Sequence, residues 1–191
     1  MQELQKSICV FCGSNHGKKK EYKETTKKLG KHIVKNGFRL VYGGGNQGIM
    51  GLLANSVKEN NGEILGVIPK ILFKEKEISI DNKNHFIVDD MHSRKMKMFN
   101  ESDIFVVLPG GIGTLDEFFE ILTWAQLKIH NKKIILLNCK NFWTPIISLL
   151  HHLIENKFLK KEIFELFTIV NEVEEIFNHI YEKNPKSPNN K

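Results

Sequence analysis

Long hydrophobic runs are absent from this 191-residue chain. Apolar segments such as residues 104–108 are far shorter than the roughly 18 consecutive apolar residues of a membrane-spanning helix. The opening residues, MQELQKSICVF, lack the basic start, the apolar stretch and the small-residue cleavage site of a signal peptide. These absences predict a protein that is neither secreted nor attached to a membrane.

Cysteine is scarce, with only Cys9, Cys12 and Cys139 in the chain. Cys9 and Cys12 form a C-x-x-C motif, but no second pair supplies the other half of a zinc site, and Cys9 lies within an apolar run. We therefore interpret these cysteines as buried thiols. The sequence predicts no disulfide framework and no metal site, and a reduced, cytoplasmic protein.

Glycine and proline, at 14 and 5 residues, are too few for a collagen-like or low-complexity chain. Apolar residues make up 41% and charged residues 26%, which is typical of a globular protein. The net charge of +6 permits an anionic partner. The lysines are spread along the chain, however, so we predict no nucleic-acid partner.

Short apolar runs alternate with amphipathic, helix-length segments along the chain. This alternation predicts an α/β fold: a doubly wound, Rossmann-like parallel sheet with helices on both faces. We expect a single nucleotide-binding catalytic domain over 1–183 and a disordered polar tail over 184–191. The predicted strands are 7–12, 38–42, 64–68, 85–88, 104–108, 133–138 and the apolar segment 167–170. The predicted helices are 19–36, 47–60, 91–102, 115–128, 142–156, 160–166 and 173–183, with a polar loop containing a helical turn over 70–83.

Two glycine-rich turns, 43–51 and 109–114, each connect a predicted strand to a predicted helix. Glycine lets the backbone approach a ligand, and the first amides of a helix attract anions. The turns are therefore either phosphate cradles or tight packing turns. The first also matches the dinucleotide fingerprint, but no acidic residue is placed to hold a ribose. A mononucleotide or sugar phosphate fits better than a dinucleotide.

Glu117 falls in the first turn of the predicted helix that follows the second glycine-rich turn. It either caps that helix, with Thr114 as the N-cap, or faces the ligand. A carboxylate beside a phosphate suits a reaction that develops positive charge, such as the breaking of an N-glycosidic bond through an oxocarbenium ion. Arg94 and Lys95, at the start of an earlier helix, form either a solvated face or an anion-binding pair. Ser14, at the tip of the first strand, and the adjacent Asn15 are further candidates for ligand contact.

Four motifs together resemble the Lonely Guy family, the cytokinin riboside 5′-monophosphate phosphoribohydrolases. They are MHSRK at 91–95, PGGIGTLDE at 109–117, GGG with GIMG within 43–51, and LTWAQL at 122–127. The likeness extends over 7–170. Members of this family hydrolyse N6-modified AMP to the free base and ribose 5-phosphate.

The resemblance implies that Arg94 and Glu117 are the catalytic pair. In the mechanism that we expect, Arg94 fixes the ribose or phosphate and orients Glu117 by a charge-assisted hydrogen bond. The resemblance implies further that residues 111–114 hold the phosphate and that an acid of the 74–83 loop, Glu77 or its competitor Glu75, contacts the base or sugar. It also implies a homodimer, and we expect no cofactor. The full substrate-binding set predicted is Gly13, Ser14, Gly44, Gly45, Glu77, Met91, Lys95, Pro109, Gly110, Gly111, Ile112, Gly113, Thr114, Glu120 and Thr123.

Two other functions stay open from the sequence. One is a non-catalytic nucleotide or molybdenum-cofactor carrier, which does not need the Arg94 and Glu117 pair. The other is a nucleosidase of broad specificity that salvages nucleoside 5′-monophosphates. Relatives are often labelled lysine decarboxylases, a label this short chain supports poorly, because a pyridoxal enzyme of ordinary type is larger and carries a Schiff-base lysine.

Overall fold

Seven parallel strands form one sheet in a computed structural model that describes residues 5–72 and 84–182. The strand order is β4-β3-β2-β1-β5-β6-β7. The chain therefore runs outward from β1 to β4 and then returns to the other side of β1 with β5. The strands are β1 Ser7–Phe11, β2 Arg39–Tyr42, β3 Ile64–Pro69, β4 His85–Val88, β5 Ile104–Val107, β6 Lys133–Leu137 and β7 Thr168–Val170.

Helices cover both faces of this sheet, which confirms the predicted fold class. They are α1 Lys20–Lys35, α2 Gly48–Glu59, α3 Met91–Asn100, α4 Ile112–Gln126, α5 Thr144–Glu155 and α6 Val173–Tyr181, with short 3₁₀ turns at Cys139–Asn141 and Lys161–Glu165. None of the helices in the described part of the chain has the length and apolar character needed to cross a bilayer. The predicted tail, 184–191, lies outside the described residues.

Both faces of the central strands are buried, because each face has its own apolar core. Along β1, Ile8 and Val10 pack with α1, α2 and α6, whereas Cys9 and Phe11 pack with α3, α4 and α5. All residues of β5 are buried for the same reason. The three cysteines are free and buried, as predicted.

Local signals in the sequence account for most helix ends. Helix α1 ends before Gly37, whose φ of +74° suits glycine, and the amides of Gly37 and Phe38 bond back to Val34 and Ile33. The side chain of Asp90 caps α3 by accepting a hydrogen bond from the amide of Ser93 at 2.7 Å. Most predicted helix ends lie within two residues of those observed.

The start of α4 is the exception. The helix begins at Ile112, three residues before the predicted start, with Gly111 as its N-cap residue. Thr114 is therefore not the N-cap, and Glu117 is in the second turn rather than the first. The capping interpretation of Glu117 is wrong, because its carboxylate lies beyond the free amides of the helix start.

Candidate active site

The loops that follow β1 and β5 meet where the order of the sheet reverses, the usual ligand site of an open α/β sheet. The amide of Gly13 donates to the carbonyl oxygen of Pro109 at 3.1 Å across this junction. A Cβ at Gly13 would lie 3.2 Å from the Cα of Gly110, so glycine permits the close approach. A cavity of about 440 Å³ opens beside the two loops.

The second glycine-rich turn presents free backbone donors to this cavity. Among the described residues, the amides of Ile112, Gly113 and Thr114 have no hydrogen-bond acceptor, and no side chain caps α4. A Cβ at Gly111 or Gly113 would meet no atom within 4 Å, so the backbone there faces open space. Uncapped amides at the start of a 15-residue helix are suited to an anion such as phosphate.

The first glycine-rich turn is a packing turn instead. The amides of Ile49 and Met50, at the start of α2, donate to the carbonyls of Asn15 and Gly13 at 3.4 and 3.2 Å. Gly48 has a φ of +63°, and a Cβ there would lie 2.2 Å from the carbonyl of Ser14. Because a neighbouring loop accepts hydrogen bonds from these two amides, they are less available to an anion than the amides at the start of α4.

Arg94 is buried, so its interpretation as part of a solvated face is wrong. The residue is 7% exposed, and its Nη1 atom donates to Oε1 of Glu117 at 2.9 Å. Its Nε atom donates to the carbonyl of Val67 at 3.2 Å. The guanidinium lies against Gly43, where a Cβ would be only 2.0 Å from Nη2. The predicted contact between Arg94 and Glu117 is therefore present. The carbonyl of Val67 and the backbone of Gly43 also fix the position of the Arg94 guanidinium.

Glu117 projects from α4 into the same cavity and is 7% exposed. Oε1 accepts from Arg94, whereas Oε2 makes no hydrogen bond within the described residues. Burial raises the pKa of the Glu117 carboxyl above its ordinary value, and the charge and hydrogen bond of Arg94 oppose that rise. A buried carboxylate with one free oxygen can act strongly on a positive charge that develops nearby, since little solvent screens it.

The structure brings most of the predicted set together around this cavity. The lining includes Arg94, Glu117, Gly13, Ser14, Gly45, Met91, Gly111, Ile112, Gly113 and Thr114. A smaller adjoining cavity of about 220 Å³ contains Pro109 and Gly110. Glu77 and its competitor Glu75 fall within 73–83, outside the described residues.

Four predicted residues within the described part of the chain line neither of these two cavities. Gly44 has a φ of +76°, and a Cβ there would lie 2.2 Å from Cγ1 of Ile68, so it serves packing. Lys95 and Glu120 form an ion pair with each other at 2.9 Å. The hydroxyl of Thr123 donates to the carbonyl of Phe119 in its own helix at 2.7 Å.

Sequence reasoning missed five lining residues: Cys12, Gly43, Met50, Ile68 and Leu72. The run of three glycines was a signal for Gly43. No signal marked the others, because an apolar side chain in a strand or helix has the same pattern whether it faces the core or a ligand. Cys12, Met50, Ile68 and Leu72 make part of the cavity lining apolar.

Comparison with known proteins gives both a family and a fold. A family model described as "possible lysine decarboxylase" matches residues 50–180. The chain is 39% identical over 187 residues to a probable cytokinin riboside 5′-monophosphate phosphoribohydrolase of Oryza sativa subsp. japonica, covering 97% of this chain and 76% of the relative. It is 37% identical over 188 residues to a cytokinin riboside 5′-monophosphate phosphoribohydrolase of Arabidopsis thaliana, covering 96% and 87%.

Among solved structures, the fold is similar to that of the molybdenum cofactor binding protein from the phototrophic bacterium Rippkaea orientalis. The TM-score is 0.68 at 20% identity, and the match covers 93% of this chain and 97% of that one. At this identity the similarity concerns the fold alone, since one fold supports many unrelated functions.

Proposed function

The chain belongs to the Lonely Guy family of cytokinin riboside 5′-monophosphate phosphoribohydrolases, and from this we propose that it is a phosphoribohydrolase. Its substrates are N6-modified adenosine 5′-monophosphates, which it hydrolyses at the N-glycosidic bond to the free base and ribose 5-phosphate. The observation that carries the proposal is the buried pair of Arg94 and Glu117, which lines the same cavity as the free amides of α4.

The 5′-phosphate of the substrate binds to the amides of residues 112–114. Main-chain donors at a helix start complement a phosphate without the cost of ordering long side chains. Binding of the phosphate holds the ribose in the cavity beside Arg94 and Glu117. The reaction of the bound nucleotide with this pair is then effectively intramolecular, which lowers its entropic cost. The apolar part of the lining, which includes Met50 and Ile68, receives the less polar part of the nucleotide.

Glu117 stabilises the reaction as the glycosidic bond breaks. The bonding electrons leave with the base, so positive charge develops on the ribose as an oxocarbenium ion. Oε2 of Glu117 faces this charge and positions a water molecule. As the oxygen of this water bonds to C1′, the water gives up one proton and the departing base takes up one, which yields the free base and ribose 5-phosphate. Arg94 fixes the carboxylate through Oε1. A preorganised charge of this kind contributes on the order of 10²–10³ in rate.

Two alternative functions have weaker support. A carrier has no need for a buried ion pair beside its ligand, and the similarity to a molybdenum cofactor binding protein concerns the fold alone. A lysine decarboxylase needs a Schiff-base lysine, and no lysine is among the described residues that line the cavity.

An assay with three substrates tests the proposal. The protein is incubated with AMP, with N6-isopentenyl AMP and with adenosine, and free base and ribose 5-phosphate are measured. We expect the two nucleotides to be cleaved, and kcat/KM for adenosine to be lower by about 10²-fold or more, because adenosine lacks the anchoring phosphate. Equal cleavage of AMP and its N6-modified form would support a salvage nucleosidase instead. Nucleotide binding without release of base would support a carrier.

The pH dependence of turnover provides a second prediction. Only the ionised form of Glu117 stabilises a cation, and burial raises its pKa. The rate therefore falls as the pH drops through a midpoint above the value of about 4.3 of a free glutamate. The check is a profile of kcat against pH for the preferred nucleotide. A fall in kcat whose midpoint lies at or below the pKa of a free glutamate would contradict the proposed role of Glu117 in catalysis.

The homodimer implied by the resemblance is part of the same proposal. Size-exclusion chromatography with light scattering measures it, with a mass of twice 22.1 kDa expected.

A further inference from the structure

The position of the Arg94 guanidinium depends on the first glycine-rich turn. Arg94 donates to Glu117 at 2.9 Å, and the backbone of Gly43 lies directly against the same guanidinium. A displacement of Gly43 would therefore open space beside Arg94, and the guanidinium would no longer be held against Glu117. The contacts that fix residues 43–45 thus bear on the geometry of the proposed catalytic pair.

Met50, in the first turn of α2, contacts this glycine-rich segment with its side chain. Its Sδ atom accepts a hydrogen bond from the amide of Gly45 at 3.1 Å. Within the described residues, the amide of Gly45 has no other acceptor. The Cε atom of Met50 and Nη2 of Arg94 lie 3.2 and 2.0 Å from the position that a Cβ at Gly43 would take. The thioether and the guanidinium therefore share the space that a side chain at residue 43 would fill.

The main chain of Met50 is fixed to a different part of the site. Its amide donates to the carbonyl of Gly13 at 3.2 Å, and the amide of Gly13 donates to the carbonyl of Pro109 at 3.1 Å. Pro109 is the first residue of the second glycine-rich turn, which leads to the free amides of α4. Met50 thus connects the proposed phosphate site, through its main chain, with the surroundings of Arg94, through its side chain.

We propose that Met50 is a positioning residue for the cleavage reaction: its thioether holds residues 43–45 in place, and so keeps the Arg94 guanidinium directed at Glu117. This role is additional to its place in the apolar part of the cavity lining. A thioether suits both roles, because it combines a weak hydrogen-bond acceptor with an apolar chain. The inference rests on the proposed function.

Met50→Leu is the first test, because leucine keeps an apolar side chain of similar volume and has no acceptor for the amide of Gly45. We expect kcat to fall by about threefold to tenfold, the effect of losing one hydrogen bond. KM should stay within about twofold, since the apolar lining and the free amides of α4 remain. A leucine variant with the kcat of the wild type would overturn the inference.

Met50→Gln separates the acceptor from the apolar lining. Glutamine has an oxygen that can accept from the amide of Gly45, but it brings a polar group into the cavity. We expect its kcat to be closer to that of the wild type than the kcat of Met50→Leu, and its KM to rise. Equal kcat values, or values in the reverse order, are the result for a side chain that acts only as an apolar surface, and they would refute the proposed role.

Met96→Leu is the matched control. Met96 is on α3, is 44% exposed and lies outside the cavity lining. The same substitution there should leave kcat and KM unchanged. A fall in kcat as large as that of Met50→Leu would show that the effect is not specific to Met50.

Hydrogen exchange, measured by NMR, keeps this inference separable from the proposed function. In Met50→Leu the amide of Gly45 should exchange about threefold to tenfold faster than in the wild type, and Met50→Gln should restore part of the protection. The Nε–H group of Arg94, which donates to the carbonyl of Val67 at 3.2 Å, should also exchange faster in the leucine variant. A wild type that cleaves no nucleotide refutes the proposed function, and these rates still decide whether Met50 holds the turn. An unchanged rate at Gly45 or at Arg94 would overturn the inference.

Discussion

Glu117→Gln is expected to lower kcat by at least about 10²–10³-fold while the affinity for AMP changes little. Glutamine keeps the shape of the side chain and an oxygen that can accept a hydrogen bond from Arg94, but it carries no charge to offset a ribosyl cation. The amides of α4, which we expect to bind the phosphate, are untouched. Release of free base under saturating substrate gives kcat, and calorimetry gives the affinity.

Loss of stability is the competing explanation for an inactive variant. Breaking a buried ion pair costs about 3–5 kcal/mol, because the remaining charge is left without its partner. Glu101→Gln is a matched control: Glu101 pairs with Arg39 at 2.7 Å, outside the cavity. We expect this variant to lose some stability and to keep the wild-type kcat. Glu117→Gln that turned over within tenfold of the wild type would remove Glu117 from the proposed role.

Gly43→Ala is expected to lower kcat/KM by about 10²-fold, although Gly43 itself carries no functional group. The added Cβ would lie 2.0 Å from Nη2 of Arg94 and 3.2 Å from Cζ, so the guanidinium must leave its position. The backbone of Gly43 does not have a positive φ, and alanine therefore causes no strain of its own. The loss arises because Arg94 no longer holds Glu117.

A double-mutant cycle with Arg94→Ala tests this mechanism. With the guanidinium absent, Gly43→Ala has nothing to displace except the Cε atom of Met50, at 3.2 Å, which is flexible. We expect Gly43→Ala to destabilise the wild type and to change little in the Arg94→Ala background, a coupling of about 0.5–3 kcal/mol. Equal losses of unfolding free energy in both backgrounds would show that the clash does not act through Arg94.

The fold could be predicted from the sequence because its signals are local. An unbroken apolar run such as Ile104–Val107 indicates a strand covered on both faces. A glycine after an amphipathic stretch, as at Gly37, marks the end of a helix. Each signal depends only on which residues of a short segment are buried in the core. The segment therefore has the same pattern of apolar and polar residues wherever it lies in the fold.

The two glycine-rich turns show what local sequence signals could not predict. Both turns are rich in glycine, and both lie between a strand and a helix. The carbonyls of Gly13 and Asn15, from a loop far away in the sequence, occupy the amides of one turn and leave those of the other free. No pattern within either turn distinguishes these outcomes.

The sequence alone determined the α/β architecture and, through its motifs, the identity of Arg94 and Glu117 as a candidate pair. Only the tertiary structure decided that this pair is buried against Gly43, that Lys95 is held by carboxylates of α4, and that the apolar side chains of Ile68 and Leu72 face a cavity. The physical reason is that periodicity depends on neighbours along the chain. The environment of a side chain depends instead on contacts between segments that are distant in sequence.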